Sequence, residues 1–335
     1  MTELLAILLA IDVGHGFTKG RTTERSVILP SVVGPAEQVR FDSGLARDGG
    51  ICVTVGERTY FVGELAMQQS ASVSQTLSPT RTGSNEQLAL FYAVASELIG
   101  PSADQVAIVT GLPLGDYNPQ NKALLRDMLK GSHTVQRRGR QARAFTVGGV
   151  HVVPQGMGSL YNLVLDRNGR IRDTDLASGA VGIVDVGTLT TNFVLVDQLR
   201  FIERGSDSIP TGTGEFLLKV AKDLKSKYGL DWTGQLARVD QAVRAGAVEL
   251  YGQLVSIEDL VKPHLAELSD TVLSKARSLW GSGAELRAVV VSGGGGVMLE
   301  PYIRKAYSHA RIGDNPQLDN VTGYLLAGMR KLGAG

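Results

Sequence analysis

Ala10-Ile11-Asp12-Val13-Gly14-His15-Gly16-Phe17-Thr18-Lys19 sets the pattern of the chain, and Ile183-Val184-Asp185-Val186-Gly187-Thr188-Leu189-Thr190-Thr191-Asn192 repeats it in the other half. Each segment is an apolar run entering Asp-Val-Gly, then glycine or small hydroxyl residues, then a second apolar run. That order reads as strand, tight turn, strand, with the aspartate at the rim and Gly14 or Gly187 freeing the backbone for positive φ. Two such hairpins facing one another would set two aspartates and two groups of turn N–H donors across a cleft. Phosphates bound with a divalent cation call for that combination: amides for the oxygens, carboxylates for the metal's shell. One Asp-x-Gly usually marks only a turn. Two copies in matching contexts, one in each half, favour a phosphate clamp.

Bulk properties narrow the field. The 335 residues suffice for two domains with buried cores. With 43% hydrophobic and 20% charged residues the composition is that of a soluble globular protein, and a net charge of +1 gives no global pull toward nucleic acid or membrane. The 41 glycines suit many turns and close backbone approaches. A single cysteine, Cys52, excludes an intrachain disulfide and a cysteine-based zinc site, and fits a reducing cytoplasm. The apolar opening Leu4–Ile11 follows Glu3 instead of basic residues, lacks a small-x-small cleavage site and is too short to span a bilayer; it reads as a buried strand.

Strand-like and helix-like periodicities alternate throughout, which predicts an α/β fold. Ile51–Val55 and Thr59–Val62 form a hairpin in a small subdomain over about residues 30–75. Ser84 and Gln87 make a capping box for a helix to Leu98, with Leu88, Phe91, Val94 and Leu98 on one face. Val106–Thr110 is a buried strand; Asn118 caps the next helix, with Pro119 at its first position and Gly131 past its end. Thr134–Val153 reads as a strand pair around a basic turn, followed by Pro154-Gln155-Gly156 and a helix carrying Ser159, Leu160 and Tyr161. A domain boundary is expected near residues 168–180. Helices are expected at Gly214–Tyr228, ended by Gly229, and at Ser256–Trp280, opened by a Ser256/Asp259 box and kinked or broken at Pro263. Arg287–Ser292 is an apolar strand emptying into Gly293-Gly294-Gly295-Gly296; a further helix starts near Glu300-Pro301, and a last one covers Val321–Leu332.

Several clusters carry chemistry, each beside a plainer reading. Four consecutive glycines weaken packing, so the Ser292–Gly296 run suggests close approach of a nucleotide; a flexible connection is the alternative. Thr211-Gly212-Thr213-Gly214-Glu215-Phe216 leads into a helix carrying Glu215 and Lys219, and either contacts a nucleoside or merely caps that helix. Gln155, at a strand-to-helix junction, either orients an attacking water or caps the helix. Arg137, Arg138, Arg140 and Arg143 form the dense basic patch. Lacking interleaved aromatics, it reads as a solvated hairpin turn before a DNA or acidic-partner contact. His15 reads as a turn residue, not a catalyst or a metal ligand.

Taken together these segments resemble the actin-like ATPase superfamily. Asp12 through Lys19 is similar to its first phosphate motif, Gln155–Tyr161 to its first connecting helix, Asp185–Asn192 to its second phosphate motif and Val290–Gly296 to its adenosine motif; Gly323 is similar to the glycine of its second connecting helix. Val109-Thr-Gly111-Leu-Pro113-Leu-Gly115-Asp-Tyr117, Val62-Gly63-Glu64-Leu-Ala66 and Asp319-Asn320-Val-Thr-Gly323-Tyr324 resemble the ParM/StbA plasmid-segregation actins and their archaeal relatives.

The resemblance implies an actin-like α/β fold: two domains with duplicated ribonuclease-H-like cores around a nucleotide cleft. Domain I would span 1–170, with the small subdomain and a C-terminal helix, 319–335, packing back on it; domain II would span 171–318. ATP, or GTP, would bind with Mg²⁺, and hydrolysis would set the lifetime of head-to-tail filaments. Plasmid DNA would be engaged only indirectly, through a DNA-binding adaptor, in the cytoplasm and without a membrane. By the same resemblance Asp12 would hold the metal through water. Gly14, His15, Gly16, Thr18, Lys19, Gly187, Thr188 and Thr190 would surround the phosphates. Asp185 with Gln155 would polarise the attacking water, and Glu215, Lys219, Gly293, Gly294 and Gly295 would receive the nucleoside. Asn192 stands where actin has a histidine, so no proton relay is carried over to it.

Two competing functions remain at this level. A small-molecule kinase of the same superfamily would need a further aspartate as base toward a hydroxyl, for which no motif stands out. A non-segregating cytoskeletal protein is the other; membrane-tethered members carry a terminal amphipathic helix, whereas Val321–Leu332 holds Gly323 and Gly328 and no basic face.

Overall fold

The computed structural model describes residues 7–36, 50–70, 74–75, 82–100, 105–137 and 141–332. Two compact units emerge, one made of the chain up to Ala177 with the residues from Gly313 onward, the other of Ser178–Ile312. Among the described residues no helix is long and apolar enough to cross a membrane.

In the first unit β1 (Ile7–Val13) and β2 (Phe17–Arg21) are the expected hairpin, continued by β3 (Ser26–Pro30). A four-stranded sheet of β4 (Val32–Pro35), β5 (Ile51–Val55), β6 (Arg58–Val62) and β7 (Ser74–Gln75) forms beside helix α1 (Glu64–Gln69). Then come α2 (Asn85–Leu98), β8 (Gln105–Leu112), α3 (Pro119–Leu129), β9 (Gly131–Val135), β10 (Arg143–Pro154), α4 (Met157–Val164) and α5 (Thr174–Ser178). The main sheet runs β3-β2-β1-β8-β10-β9, with β8 parallel to both β1 and β10.

β1 is central because its side chains are apolar on both faces. Leu9 and Ile11 join the core that Leu90, Phe91, Val94 and Leu98 of α2 fill. Ala10 turns the other way, onto Val321, Tyr324 and Leu325 of the C-terminal helix. Ser84 Oγ accepts the Gln87 N–H as in a capping box, but the Gln87 side chain returns to Gly83 N at 2.9 Å, one residue further back.

The second unit holds β11 (Ala180–Val186), β12 (Thr191–Asp197), β13 (Arg200–Ile209), α6 (Thr213–Tyr228), α7 (Leu236–Ala245), the hairpin β14 (Ala247–Leu250) and β15 (Gln253–Ser256), α8 (Glu258–Trp280), β16 (Ala288–Ser292), α9 (Gly296–Ala306) and β17 (Ala310–Ile312). Its sheet runs β13-β12-β11-β16-β17. Val184, Val186, Phe193, Val289 and Val291 point to one core shared with α6 to α9. The chain then returns to the first unit as α10 (Asp319–Leu332).

The structure corrects four expectations. Ser256 ends β15 and is paired there with Ala247, so α8 starts at Glu258 with Ile257 as its cap and the Ser256/Asp259 box does not form. α8 also runs through Pro263 without a break. α9 begins at Gly296, not near Pro301, which lies inside the helix; the glycine run therefore leads straight into a helix N-terminus. Of the basic patch, Arg138 and Arg140 lie outside the described residues. Arg137 is 6% exposed and ion-paired with Glu97, while Arg143 donates to the Ile99 carbonyl. These two guanidinium groups tie the β9–β10 end to the C-terminal end of α2, and neither is solvated as a free turn residue would be.

α4 and α10 cross backbone to backbone. A Cβ at Gly323 would overlap the Gly158 carbonyl, and one at Gly158 would overlap Asn320. Tyr324, fully buried, lies over Gly111, where again a Cβ has no room. Asn320 Oδ1 accepts the Ser159 N–H at 3.2 Å and Asp319 Oδ1 accepts from Asn162 at 2.8 Å, so polar contacts pin the same crossing.

Candidate functional site

The first half-site is the β1–β2 turn. Asp12 is cross-strand partner to Lys19, so both side chains leave one face of the hairpin. Lys19 Nζ donates to Asp12 Oδ2 at 3.0 Å, and Gln155 Nε2 donates to Asp12 Oδ1 at 3.2 Å. Asp12 is 1% exposed, and so nearly buried a carboxylate needs such partners. Gln155 reaches it because the end of β10 is tied to β8, where Gln155 N donates to the Leu112 carbonyl at 2.7 Å.

Gly14 N closes the turn on the Phe17 carbonyl at 3.1 Å. Contrary to expectation, neither Gly14 nor Gly187 adopts positive φ. What Gly14 needs is room: a Cβ there would stand 2.8 Å from the Phe17 carbonyl oxygen and 3.5 Å from Lys19 Nζ. The Lys19 ammonium thus lies over bare turn backbone, with Gly16 and His15 half-buried beside it.

Ser31 was not singled out in the sequence, yet it fastens this turn. Its Oγ donates to the Gly14 carbonyl at 2.7 Å, which uses its one hydrogen, so Thr18 must be the donor in the 2.8 Å contact between the two hydroxyls. Ser31 N also donates to the Gly16 carbonyl at 2.9 Å. The Thr18 hydroxyl, fully buried, therefore braces the turn from below.

The second half-site brings three separate stretches of sequence together. Gly187 N closes the β11–β12 turn on the Thr190 carbonyl at 2.9 Å. The Gly212–Gly214 loop docks on that turn: Thr213 N donates to the Gly187 carbonyl at 3.0 Å and Gly214 N to the Thr188 carbonyl at 2.7 Å. Thr191 Oγ1 donates to the Thr211 carbonyl at 2.7 Å from below. From the third side Gly295 N donates to the Val186 carbonyl at 3.0 Å. Gly293 has φ +83°, and a Cβ there would stand 2.6 Å from Asp185 Oδ1. Glycine is demanded by both the conformation and the space.

Gly294 is different: a Cβ on it would meet nothing within 4 Å. Its carbonyl is held by Arg244 of α7, whose Nη2 donates at 2.8 Å while Nε donates to Asp240. Arg244 carried no sequence signal, because its partner is a backbone atom fifty residues away. Asp185, 4% exposed, accepts at Oδ1 from Ser292 Oγ at 3.0 Å.

Glu215 and Lys219 occupy the first turns of α6 and pair with each other at 3.4 Å. Lys219 also donates to both oxygens of Glu267 on α8 at 2.8 Å. That hydrogen bond, foremost, raises the Lys219 pKa and lowers that of Glu267, both groups standing at the surface. The structure thus joins Glu215 and Lys219 to α8, and none of their described hydrogen bonds goes to the Asp185 turn.

These features suit a nucleotide with Mg²⁺. Among the described residues no three His, Cys, Asp or Glu side chains converge as a metal cage. Mg²⁺ commonly keeps most of its waters and takes one or two carboxylates beside phosphate oxygens, a role within reach of Asp12. Phosphate oxygens are commonly held by turn backbone beside a cation, and Lys19 lies over the glycine backbone of the first turn.

Residues 10–158 match the family model described as the N-terminal domain of actin-like proteins. Residues 183–305 match that of the archaeal actin homologue MreB-like, C-terminal. No curated protein matches the chain. Among solved structures, a non-polymerisable quadruple mutant of pCBH ParM is 25% identical with a TM-score of 0.77, covering 96% of this chain and 99% of its own. A 15-stranded ParM filament from Clostridium botulinum is 24% identical with a TM-score of 0.77, covering 96% and 98%. An archaeal actin homolog in complex with ADP is 19% identical with a TM-score of 0.78, covering 97% and 99%.

Proposed function

Because the chain belongs to the actin-like protein family, we propose that it binds ATP with Mg²⁺, hydrolyses it, and assembles head to tail into filaments. The observation that carries this reading is the pair of half-sites. Each unit holds an aspartate at the rim of a strand–turn–strand, with unclothed backbone at the turn. In the first unit Lys19 and the Gly14–Gly16 turn bind phosphate, and Asp12 holds the metal through water. In the second unit the Gly187–Thr188 turn receives the γ-phosphate, and Asp185 orients water from its fixed carboxylate. Gln155, already bonded to Asp12, orients water from the first unit. Gly294, the open member of its glycine run, receives the nucleoside. Mg²⁺ when bound would neutralise charge on the phosphates.

Support for assembly comes from two of the similar structures, one described as a filament and one as a mutant that does not polymerise. A head-to-tail contact generates an open filament because it never closes on itself. We further propose that a DNA-binding adaptor links such a filament to plasmid DNA in the cytoplasm.

The experiment for hydrolysis is phosphate release from ATP–Mg²⁺ with no other acceptor than water. Steady release that stops when Mg²⁺ is chelated is expected. Release only after addition of a sugar or other hydroxyl compound would replace this reading with that of a kinase.

A further inference from the structure

Ser31 is the single residue between two sheets of the first unit. β3 ends at Pro30, paired with Phe17 of the main sheet. β4 opens at Val32, which is paired with Gln75 of the small sheet and whose carbonyl accepts the Gly63 N–H at 2.8 Å. Held from both sides and 1% exposed, Ser31 is a rigid post beside the β1–β2 turn. Side chains alternate between the faces of a hairpin, so the Asp12–Lys19 pair and the neighbouring Val13–Thr18 pair project to opposite sides. The Ser31 hydroxyl meets that of Thr18 at 2.8 Å and therefore stands on the Thr18 side. From there it donates to the Gly14 carbonyl at 2.7 Å, which turns that oxygen away from Asp12 and Lys19. In a planar trans peptide the N–H points opposite to the carbonyl, so the Gly14–His15 peptide shows its N–H edge to the Lys19 side. Lys19 is close by: a Cβ on Gly14 would stand 3.5 Å from Nζ.

We propose that Ser31 is a positioning residue for phosphate: its hydroxyl keeps the Gly14 carbonyl off the face on which Lys19 meets the phosphates of a nucleotide. The inference rests on the nucleotide-binding reading given above. Without the hydroxyl the peptide can turn over at Gly14, where no side chain opposes the rotation, and aim its oxygen at the Lys19 ammonium. A carbonyl oxygen on that face would repel phosphate oxygens and occupy one of the ammonium hydrogens. With Ser31 in place the direction of the peptide is set before any ligand arrives, so no binding free energy goes into turning it. Ser31 itself lies on the far side of the turn and acts only through that one peptide. Its effect must therefore depend on the phosphates of the ligand and not on the nucleoside.

The test uses the full chain and three variants: Ser31→Thr, which keeps the hydroxyl, Ser31→Val, which has the shape of threonine without it, and Ser31→Ala. Affinities for ATP–Mg²⁺ and for adenosine, which carries no phosphate, are measured by displacement of a fluorescent nucleotide. Selective isotope labelling of histidine follows the His15 amide resonance in the absence of ligand. Ser31→Val and Ser31→Ala are expected to weaken ATP binding about tenfold, the scale of one hydrogen bond, while adenosine binds as to wild type. Both should shift the His15 amide resonance, and Ser31→Thr should restore the affinity and the resonance together. If threonine is not accommodated, the ratio of ATP to adenosine affinity in Ser31→Ala against wild type decides alone. Equal ATP affinity in Ser31→Val and Ser31→Thr, or a wild-type ratio in Ser31→Ala, overturns the role of Ser31. Equal weakening of ATP and adenosine overturns it too, since a loosened fold would spare neither ligand. A wild-type chain that binds adenosine as tightly as ATP, or binds neither, removes the nucleotide-binding reading itself.

Discussion

Asp185→Ala should bind ATP nearly as tightly as the wild type and hydrolyse it ~10²-fold more slowly or worse. The reason lies in what the substitution leaves intact. The turn N–H groups at Gly187 and Thr188 belong to the backbone, and that backbone is tied by Thr213, Gly214 and Gly295. Removing the side chain takes away the oriented acceptor and strands the Ser292 hydroxyl, but opens no phosphate contact. Rapid-quench hydrolysis beside equilibrium binding of a fluorescent nucleotide separates the two quantities. Near-normal hydrolysis would remove Asp185 from the water-orienting role.

Asp12→Ala should show the opposite signature. Losing a group that holds a metal's own ligand typically weakens affinity about 10–100-fold, so Mg²⁺-dependent nucleotide binding should fall by that much and recover partly in excess Mg²⁺. The geometry adds a second expectation. In the wild type Asp12 neutralises Lys19, whose side chain is 12% exposed. Without Asp12 that ammonium faces the turn unneutralised, so binding in the absence of Mg²⁺ should be equal to or tighter than wild type. A defect confined to turnover, with affinity unchanged, would mean the roles of the two aspartates are exchanged.

The parts of the fold legible in the sequence are those in which local chemistry and burial agree. The Asp12 and Asp185 hairpins announce themselves because apolar strands flank residues that tolerate a tight turn, and α2, α3 and α6 because caps and apolar faces coincide. Where the turn chemistry is unusual, the reading fails. The β12–β13 turn places Gln198 and Leu199 at φ 50° and 61°, and the β14–β15 turn places Tyr251 at 51° before Gly252. Such primed turns normally take Asn or Gly, so side chains that pay a steric cost there gave no hairpin signal.

The start of α9 was hidden for a related reason. Pro301 mimics a first helical position, while the true start is a run of glycines that no propensity would place in a helix. In the site, the aspartates, glycines and Gln155 stand out as residue types. Ser31, Ser292 and Arg244 do not, because each acts through a hydrogen bond to an atom distant in sequence. Arg137 shows the converse: a conspicuous charge whose partner, Glu97, turns it inward.

Filament formation is tested most directly by right-angle light scattering of the purified chain in ATP–Mg²⁺ over a concentration series. Scattering should rise only above a critical concentration and decay as phosphate is released, and Asp185→Ala should assemble under the same conditions yet decay far more slowly. Scattering that stays flat at every concentration, for wild type and Asp185→Ala alike, with electron micrographs showing dispersed particles, would contradict it.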